Sequence, residues 1–292
     1  AAPDPSRQFL TVSADLYPSK DTFRRALSAK LAKLPKGKRE AVVFVHGFNT
    51  TFAEGAYRMA QLGHDLKIPG VLVHYSWPSK GHPLGYVYDR DSALFARDGL
   101  EELLRDVEGA GADRVLLVAH SLGSLVLMET LRQMKIGGKQ QQLAKVGGVV
   151  LVSPDLDVDL FRSEAAQIGK LPQPFLIFTS RKDRALSLSA RLTGRNQSRL
   201  GNLDSARDLA DLNVTVLDTT AFSRGAGHFN VANSPALLAV LSQIGTVDRA
   251  HGGSRCCGQK MAGTGLWHGV QGVHDANWRV AHWIRGLGSR VQ

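Results

Sequence analysis

The chain has 292 residues, of which 43% are hydrophobic and 21% charged, and these fractions are ordinary for a folded globular protein and argue against wholesale disorder. The 36 Lys and Arg residues exceed the 26 Asp and Glu residues, and the resulting net charge of +10 would attract acidic partners in general without specifying one. None of the signatures of RNA- or DNA-binding modules is present, so we predict no nucleic-acid partner.

Short apolar runs bounded by turn residues alternate with longer segments of helical period. This pattern predicts the α/β class, with a mostly parallel central sheet covered by helices on both faces and no large lid domain. The predicted strands are rich in Val, Leu, Ile and Phe and lie at 41–45, 71–75, 114–119, 148–152, 175–179 and 214–217. The predicted helices lie at 52–66, 91–107, 122–134 and 235–244.

The alternation of strands and helices ends near Ile244. We therefore predict one α/β domain over residues 1–245. The remainder, residues 246–292, is rich in Gly and His, holds three of the four tryptophans and shows no strand pattern. It is predicted to be a loosely folded appendage.

The sequence also bears on compartment and on metal binding. The apolar runs are shorter than the ~18 residues that a membrane-spanning helix needs, and the first residues carry no signal-peptide core. We expect a soluble protein, cytoplasmic or, if a leader was removed ahead of Ala1, exported, and contact with a membrane surface is left open.

The two cysteines, Cys256 and Cys257, are adjacent, which predicts neither a disulfide framework nor a zinc site. No metal is predicted.

The strand predicted at 114–119 runs into the motif HSLG at 120–123 and then into a helix. In a nucleophile elbow the serine lies at a sharp strand-to-helix turn, so the residues two before and two after it must be small. Ala119 and Gly123 meet this requirement, with Ala in place of the first Gly of the usual G-x-S-x-G pattern. A serine that only caps the helix is the alternative, but it would not require Gly123. The sequence therefore predicts Ser121 as a nucleophile.

An acyl-transfer serine needs N–H donors for the oxyanion that forms during attack. The Leu122 N–H, directly after the nucleophile, is the first predicted donor. The strand at 41–45 ends in His46-Gly47-Phe48, where Gly47 allows a tight turn and the Phe48 N–H can point toward the serine. We therefore predict an oxyanion hole made by Phe48 and Leu122, with a simple strand-ending turn as the alternative.

Where such an elbow lies on a parallel sheet, the acid and then the histidine of a triad follow along the chain. His228 lies in a glycine-bearing loop after the last predicted strand, and we predict that it is the general base. Asp183 follows the strand at 175–179, which is the usual position of the acid. Asp155 and Asp157 follow the preceding strand and compete for the role. A surface ion pair is the alternative for Asp183, and a turn or helix cap is the alternative for Asp155.

Five segments of the sequence resemble bacterial α/β-hydrolases of the DUF900 family: VFVHGFNTTFAEGAYRMAQLGHDL, HYSWPSKG, YVYDRDSA, VLLVAHSLGS and TSRKDRAL. The resemblance covers about residues 9–244 and leaves out the appendage. It implies the α/β-hydrolase fold and esterase- or lipase-like chemistry, and it carries the triad onto Ser121, Asp183 and His228. It transfers no substrate, because the family is not defined by one.

Loops at the carboxyl ends of the strands form the pocket of such a fold. Trp77 and Tyr86 lie in one of these loops, and we therefore predict that they bind substrate. Core packing is the alternative for both aromatic residues. Arg191, Arg195 and Arg199 follow Asp183 and are candidates to hold an anionic group, with a solvated face as the more ordinary role.

The predicted function is hydrolysis of a small carboxylic ester with a short to medium acyl chain, through an acyl-enzyme on Ser121. Such a triad needs no cofactor. The same residues would serve an acyltransferase or a thioesterase, and a hydrolase-fold binding module without catalysis is a third class. The presence of nucleophile, acid and histidine together favours an enzyme.

Overall fold

A computed structural model describes residues 10–11, 13–194, 199–203 and 205–222 of the chain. Four predictions fall outside these residues, namely Arg195 as a candidate for anion binding, the base His228, the helix at 235–244 and the appendage at 246–292. The domain boundary at residue 245 therefore stays a prediction.

The centre of the described chain is a six-stranded sheet. Its strands are β1 (Glu40–Val45), β2 (Val71–Tyr75), β3 (Arg114–His120), β4 (Val146–Val152), β5 (Phe175–Thr179) and β6 (Thr215–Asp218). All neighbouring strands are parallel, and their order across the sheet is β2-β1-β3-β4-β5-β6. Each strand coincides with a predicted one to within two residues at either end.

Seven α-helices connect or cover these strands in the part of the chain described. They are α1 (Lys20–Leu31), α2 (Phe52–Asp65), α3 (Tyr86–Gly109), α4 (Gly123–Ile136), α5 (Gln140–Leu143), α6 (Val158–Ile168) and α7 (Arg184–Leu192). Helices α2, α3 and α4 confirm three predicted helices, although α3 begins five residues before the predicted start at residue 91. No separate lid domain is inserted between the described strands.

Helices α1, α5, α6 and α7 were missed by the sequence patterns. Helix α1 begins after Ser19, which forms a capping box with Thr22. Helices α6 and α7 begin directly after Asp157 and Asp183, and each of these carboxylates accepts two N–H groups of the first helical turn. The helix cap that was one alternative role for Asp155 is therefore provided by Asp157, two residues later.

Alternate residues of each strand pack into apolar layers on opposite faces of the sheet. On β1, Ala41, Val43 and Val45 belong to the layer formed with α1, α3, α4 and α6. Val42 and Phe44 belong to the opposite layer, which includes side chains of α2. Burial of each such Val or Phe contributes roughly 1.5–3 kcal/mol to stability. The predicted class, a parallel sheet with helices on both faces, is confirmed.

The parallel arrangement brings the carboxyl ends of the central strands to one edge of the sheet. Ala119 at the end of β3 pairs with Val45 of β1 and with Leu151 of β4. Val152 of β4 pairs in turn with Phe178 of β5. The loops after β1, β3, β4 and β5 therefore begin side by side, which is where open α/β sheets place their ligand sites.

Within the described ranges, the longest helix, α3, is too polar to cross a bilayer, and no other helix qualifies either.

Two glutamates pack against each other away from this edge, Glu129 on α4 and Glu164 on α6. Glu129 also accepts a hydrogen bond from Arg132 at 2.8 Å. Burial of Glu164, and then the charge of Glu129, raises the pKa of the Glu164 carboxyl to about 9. The folded protein therefore keeps Glu164 protonated at neutral pH, whereas the unfolded chain ionises it.

This pair makes stability depend on pH. A carboxyl whose pKa is raised on folding makes its full contribution to stability at pH values below its pKa in the unfolded chain. This contribution is lost as the pH rises through the pKa of the folded protein, which is about 9. We expect Glu164→Gln to remove that loss and to raise the free energy of unfolding at neutral pH by roughly 1–3 kcal/mol. Urea denaturation of both proteins at mildly acidic and mildly alkaline pH checks this. Equal slopes of stability against pH in the two proteins would contradict it.

Candidate active site

Ser121 lies in the turn between β3 and α4 with a φ of 51°. Non-glycine residues occupy this left-handed region at a cost of about 1–3 kcal/mol and stay there only where their surroundings hold them. Here the Ser121 N–H donates to the Val152 carbonyl at 3.0 Å, and the Ser121 carbonyl accepts the Asp155 N–H at 3.1 Å. The loop after β4 therefore fixes the backbone of the turn on both sides of the residue.

The same turn bears on the alternative role of Ser121 as a helix cap. The cap position of α4 is occupied by Leu122, and this cap makes no side-chain hydrogen bond. The Ser121 side chain is buried at the turn, at 3% exposure for the residue. The strand, the strained turn and the helix together have the form of a nucleophile elbow.

Two glycines allow the elbow to pack against the end of β1. A Cβ atom on Gly123 would lie 2.4 Å from the His46 carbonyl oxygen and 2.6 Å from that of Val45. A Cβ atom on Gly47 would lie 2.8 Å from the Cβ of Ser121. The loop after β1 is therefore in direct contact with the serine, and a side chain at either glycine would push the two apart.

We expect Gly123→Ala to destabilise the protein by about 1–3 kcal/mol, because the atoms that the new methyl group meets are backbone atoms of Val45 and His46, which cannot move away as a side chain would. Activity should fall with it, since the methyl group presses on the loop that contacts Ser121. Urea denaturation measures the first effect. Gly109→Ala, at the end of α3, is the matched control, because its nearest neighbour would be the flexible Arg24 side chain at 3.7 Å. If both variants unfold at the same urea concentration, close packing at Gly123 is not what requires the glycine.

The predicted oxyanion donors lie on the two sides of this contact. Around Phe48, the N–H groups of Asn49 and Thr50 donate to side-chain oxygens. Around Leu122, the N–H of Ser124 donates to the Ser121 carbonyl. By contrast, the N–H groups of Phe48 and Leu122 donate to no other residue in the described ranges. The Leu122 N–H also lies at the positive N-terminal end of α4.

His46 is part of the scaffold behind the loop. Its Nδ1 lies 2.9 Å from the Gly47 carbonyl, and its Nε2 accepts the Trp77 N–H at 3.2 Å. Burial lowers the pKa of His46. The Trp77 carbonyl oxygen lies at the same distance, 3.2 Å, from Nε2, so both ring nitrogens are engaged by backbone groups of the loops after β1 and β2.

Trp77 was predicted to bind substrate, and the structure places it against His46. The two rings stack with centroids 5.0 Å apart, and the indole N–H donates to the His46 carbonyl at 2.7 Å. Trp77 is 2% exposed. Contact between this side chain and a substrate stays a prediction.

Tyr86, the other residue predicted to bind substrate, is joined to Asp155. Its hydroxyl donates to Asp155 Oδ2 at 2.8 Å, and the Ser189 hydroxyl donates to Asp155 Oδ1 at 2.7 Å. The Arg199 guanidinium lies 3.3 Å from the same Oδ1, and both partners of this ion pair are buried. The desolvation of Tyr86, and then the Asp155 charge, raise the pKa of the phenol to about 12. Both oxygens of Asp155 are thus engaged by donors.

Asp183 has different surroundings from Asp155. It is 1% exposed, so it is not a surface residue. Its Oδ1 accepts the N–H groups of Ala185 and Leu186 at 3.1 and 3.2 Å, which leaves Oδ2 out of the helix cap. Arg181 instead lies 3.4 Å from Asp218. Asp157 caps α6 in the same way.

Two recesses lie among the loops at this edge. One, of about 440 Å³, is lined by Arg181, Lys182, Asp183, Arg184 and Ser187. The other, of about 280 Å³, borders the loop after β1 and includes Gly47, Asn49 and His120. The first is the more cationic and adjoins the predicted acid.

For two residues of this region, Asp89 and Arg199, the sequence does not predict the role that the structure shows. Asp89 is fully buried and binds two loops at the edge, yet in the sequence it appears only as one of several charges in YVYDRDSA. Arg199 was grouped with Arg191 and Arg195, but it is 2% exposed and pairs with Asp155. Burial of a charged side chain has no signature in a single sequence.

Comparison with known proteins gives a family match and a set of similar folds. Residues 19–244 match the family described as "Alpha/beta hydrolase of unknown function (DUF900)". An esterase of Pyrococcus furiosus is 16% identical, with 73% of this chain and 84% of that chain covered and a TM-score of 0.44. Lipase B of Aspergillus fumigatus is 14% identical, with 71% of this chain and 52% of that chain covered and a TM-score of 0.47. No curated protein matches by sequence.

Proposed function

Because the chain belongs to the DUF900 family of alpha/beta hydrolases, we propose that it is a serine hydrolase that cleaves carboxylic esters through an acyl-enzyme on Ser121. The observation that carries this proposal is the left-handed backbone of Ser121, which the loop after β4 holds in place. Ser153 also has a positive φ, of 45°. Of the two serines, however, only Ser121 lies at a strand-to-helix turn with small residues, Ala119 and Gly123, two positions before and after it, which is the form of a nucleophile elbow.

The proposed reaction has two halves. In the first, His228 takes the proton of the Ser121 hydroxyl as Oγ bonds to the ester carbonyl carbon. The tetrahedral oxyanion then receives hydrogen bonds from the Phe48 and Leu122 N–H groups. Collapse of this intermediate breaks the bond to the alcohol oxygen, and His228 returns the proton to the departing alcohol.

In the second half, water replaces the alcohol. His228 removes a proton from the water as its oxygen attacks the acyl carbon, and the bond to Ser121 Oγ breaks. The free carboxylic acid leaves and the serine regains its proton. Every step uses side chains and backbone groups of the chain, so the proposal includes no cofactor.

We assign Asp183 as the acid that orients His228. Its Oδ1 caps α7, and its place directly after β5 is the usual position of the carboxylate that accepts the Nδ1–H of the histidine. Asp155 is a poorer candidate because Tyr86, Ser189 and Arg199 already surround both of its oxygens. The neutralising arginine would also weaken the stabilisation that a carboxylate gives to an imidazolium.

The proposed substrates are esters with short to medium acyl chains. The recess beside the loop after β1 is about 280 Å³, which is near the lower end of small-molecule sites. Trp77 and Tyr86 are buried, and as predicted substrate residues they would act through the loops that they support.

A panel of p-nitrophenyl esters tests the proposal, from acetate through butyrate and octanoate to palmitate. We expect turnover of the shorter esters and a decline toward palmitate. The same reaction with added methanol separates hydrolysis from transfer, because a transferase would form the methyl ester in place of the free acid. Absence of turnover on every ester, together with absence of fluorophosphonate labelling at Ser121, would overturn the proposal.

A further inference from the structure

A buried carboxylate outside the triad ties together the loops beside the predicted oxyanion hole. Asp89, in the first turn of α3, is fully buried. Its Oδ1 accepts the Lys80 N–H at 2.6 Å. Its Oδ2 accepts the Asn49 N–H at 3.3 Å and the Ser79 hydroxyl at 2.6 Å. One side chain therefore binds the loop after β1 and the loop after β2 at the same time.

Ser79 extends this attachment by one further residue. Its hydroxyl donates to Asp89 and accepts the Thr50 N–H at 3.3 Å. The backbone N–H groups of Asn49 and Thr50 are thus both held, one directly and one through the serine. Asn49 has a φ of 51°, so the chain bends sharply at the residue that Asp89 binds.

These bonds fix the loop from the side opposite to the elbow. On one side of Phe48, Gly47 is packed against the Cβ of Ser121. On the other side, Asn49 is bonded to Asp89. The Phe48 N–H lies between the two fixed points and donates to no other residue of the described chain. Its direction is therefore set by its two neighbours.

We propose that Asp89 is a positioning residue that aims the Phe48 N–H at the oxyanion, and this inference rests on the proposed function. The Asp89 carboxylate accepts hydrogen bonds from N–H and O–H donors of two loops. An asparagine in its place would have an NH₂ group on one side, and this group would face one of those donors without being able to accept its hydrogen bond. The loop after β1 would then move away from the NH₂ group, and the Phe48 N–H would no longer point at the oxyanion. An oxyanion donor acts mainly in the transition state, so the loss should appear in kcat and little in KM.

The test compares Asp89→Asn with Asp106→Asn. Asp106 is a buried carboxylate on the same helix, near Arg24 at 3.8 Å, and it contacts neither loop in the described structure. With p-nitrophenyl butyrate, we expect Asp89→Asn to lower kcat by about 10- to 100-fold with KM within about threefold of the wild-type value. The Asp106→Asn variant should keep its kcat.

A trifluoromethyl ketone distinguishes positioning from a general loss of folded protein. This inhibitor forms a hemiketal with the serine, and its oxyanion occupies the same donors as the transition state. If Asp89 positions the hole, the inhibition constant should rise by the same factor by which kcat/KM falls. If the variant only contained less active protein, the inhibition constant would stay unchanged, and that result would overturn the inference.

Ser79→Ala covers the case in which Asp89→Asn does not fold. It removes the relay to Thr50 and leaves the Asp89 carboxylate in place, so we expect a smaller fall in kcat, about threefold to tenfold, with a matching rise in the inhibition constant. Unchanged kinetics in a folded Ser79→Ala or Asp89→Asn protein would refute the assignment. Wild-type protein that hydrolyses no ester would instead refute the proposed function, so the two failures are distinct.

Discussion

Replacing Ser121 with alanine is expected to reduce ester hydrolysis by about 10⁶-fold, because no other group then forms the acyl-enzyme. The fold should survive, since the substitution removes one oxygen and keeps the Cβ that contacts Gly47. Initial rates with p-nitrophenyl butyrate measure the first effect and thermal unfolding the second. A fluorophosphonate should label the wild-type protein at Ser121 and leave the variant unlabelled.

Ser124→Ala is the matched control for this experiment. Ser124 is fully buried and is the second residue of α4, three positions after Ser121. Because it is not the predicted nucleophile, the control should keep most of its activity. Full turnover in Ser121→Ala, or labelling of another serine in the wild type, would show that the strained turn has a different purpose.

Asp183→Asn is expected to lower kcat by about 10⁴-fold with little effect on folding. An amide cannot hold the histidine in the tautomer that removes the serine proton, so the base is lost although the histidine remains. The helix cap is expected to persist, because Asn is as good a cap as Asp and its carbonyl oxygen can accept the Ala185 and Leu186 N–H groups. Steady-state kinetics and thermal unfolding of the same preparation separate the two roles.

Asp155→Asn should give the opposite pattern. It removes the charge that faces the buried Arg199, and an uncompensated buried cation costs about 3–5 kcal/mol. The main result should therefore be a fall in stability. A stable and inactive Asp155→Asn or Asp157→Asn protein, with Asp183→Asn nearly fully active, would move the acid to the loop after β4.

The sheet could be predicted from the sequence because strands such as β1, β4 and β5 are buried on both faces. Runs such as Val71–Tyr75 and Phe175–Thr179 are mostly apolar and end at turn residues, and both of their ends were predicted correctly. The starts of helices α6 and α7 are harder to predict because their cap residues, Asp157 and Asp183, are also candidate acids. A capping aspartate and a catalytic aspartate have the same side chain, and only the bonding of its oxygens separates them.

The candidate site was predictable where a single turn defines it and not where distant loops meet. Ser121 and Gly123 are close in sequence, and the spacing of small residues around the serine identifies the turn. The partners of Asp89 lie in two other loops, and Arg199 reaches Asp155 from beyond α7. Such contacts depend on the packed fold, so a pattern search along one chain does not find them.

The bonds that hold Ser121 have a consequence for the order in which the protein assembles during synthesis. The acceptor and donor that lock the turn, Val152 and Asp155, emerge from the ribosome after the whole of α4. Asp155 is in turn held by Ser189 and Arg199, which are made later still. A nascent chain that ends at α4 therefore contains the serine and its glycine but lacks the groups that hold the strained turn. The reactive geometry should arise only late in synthesis, as expected where contacts join distant parts of a chain.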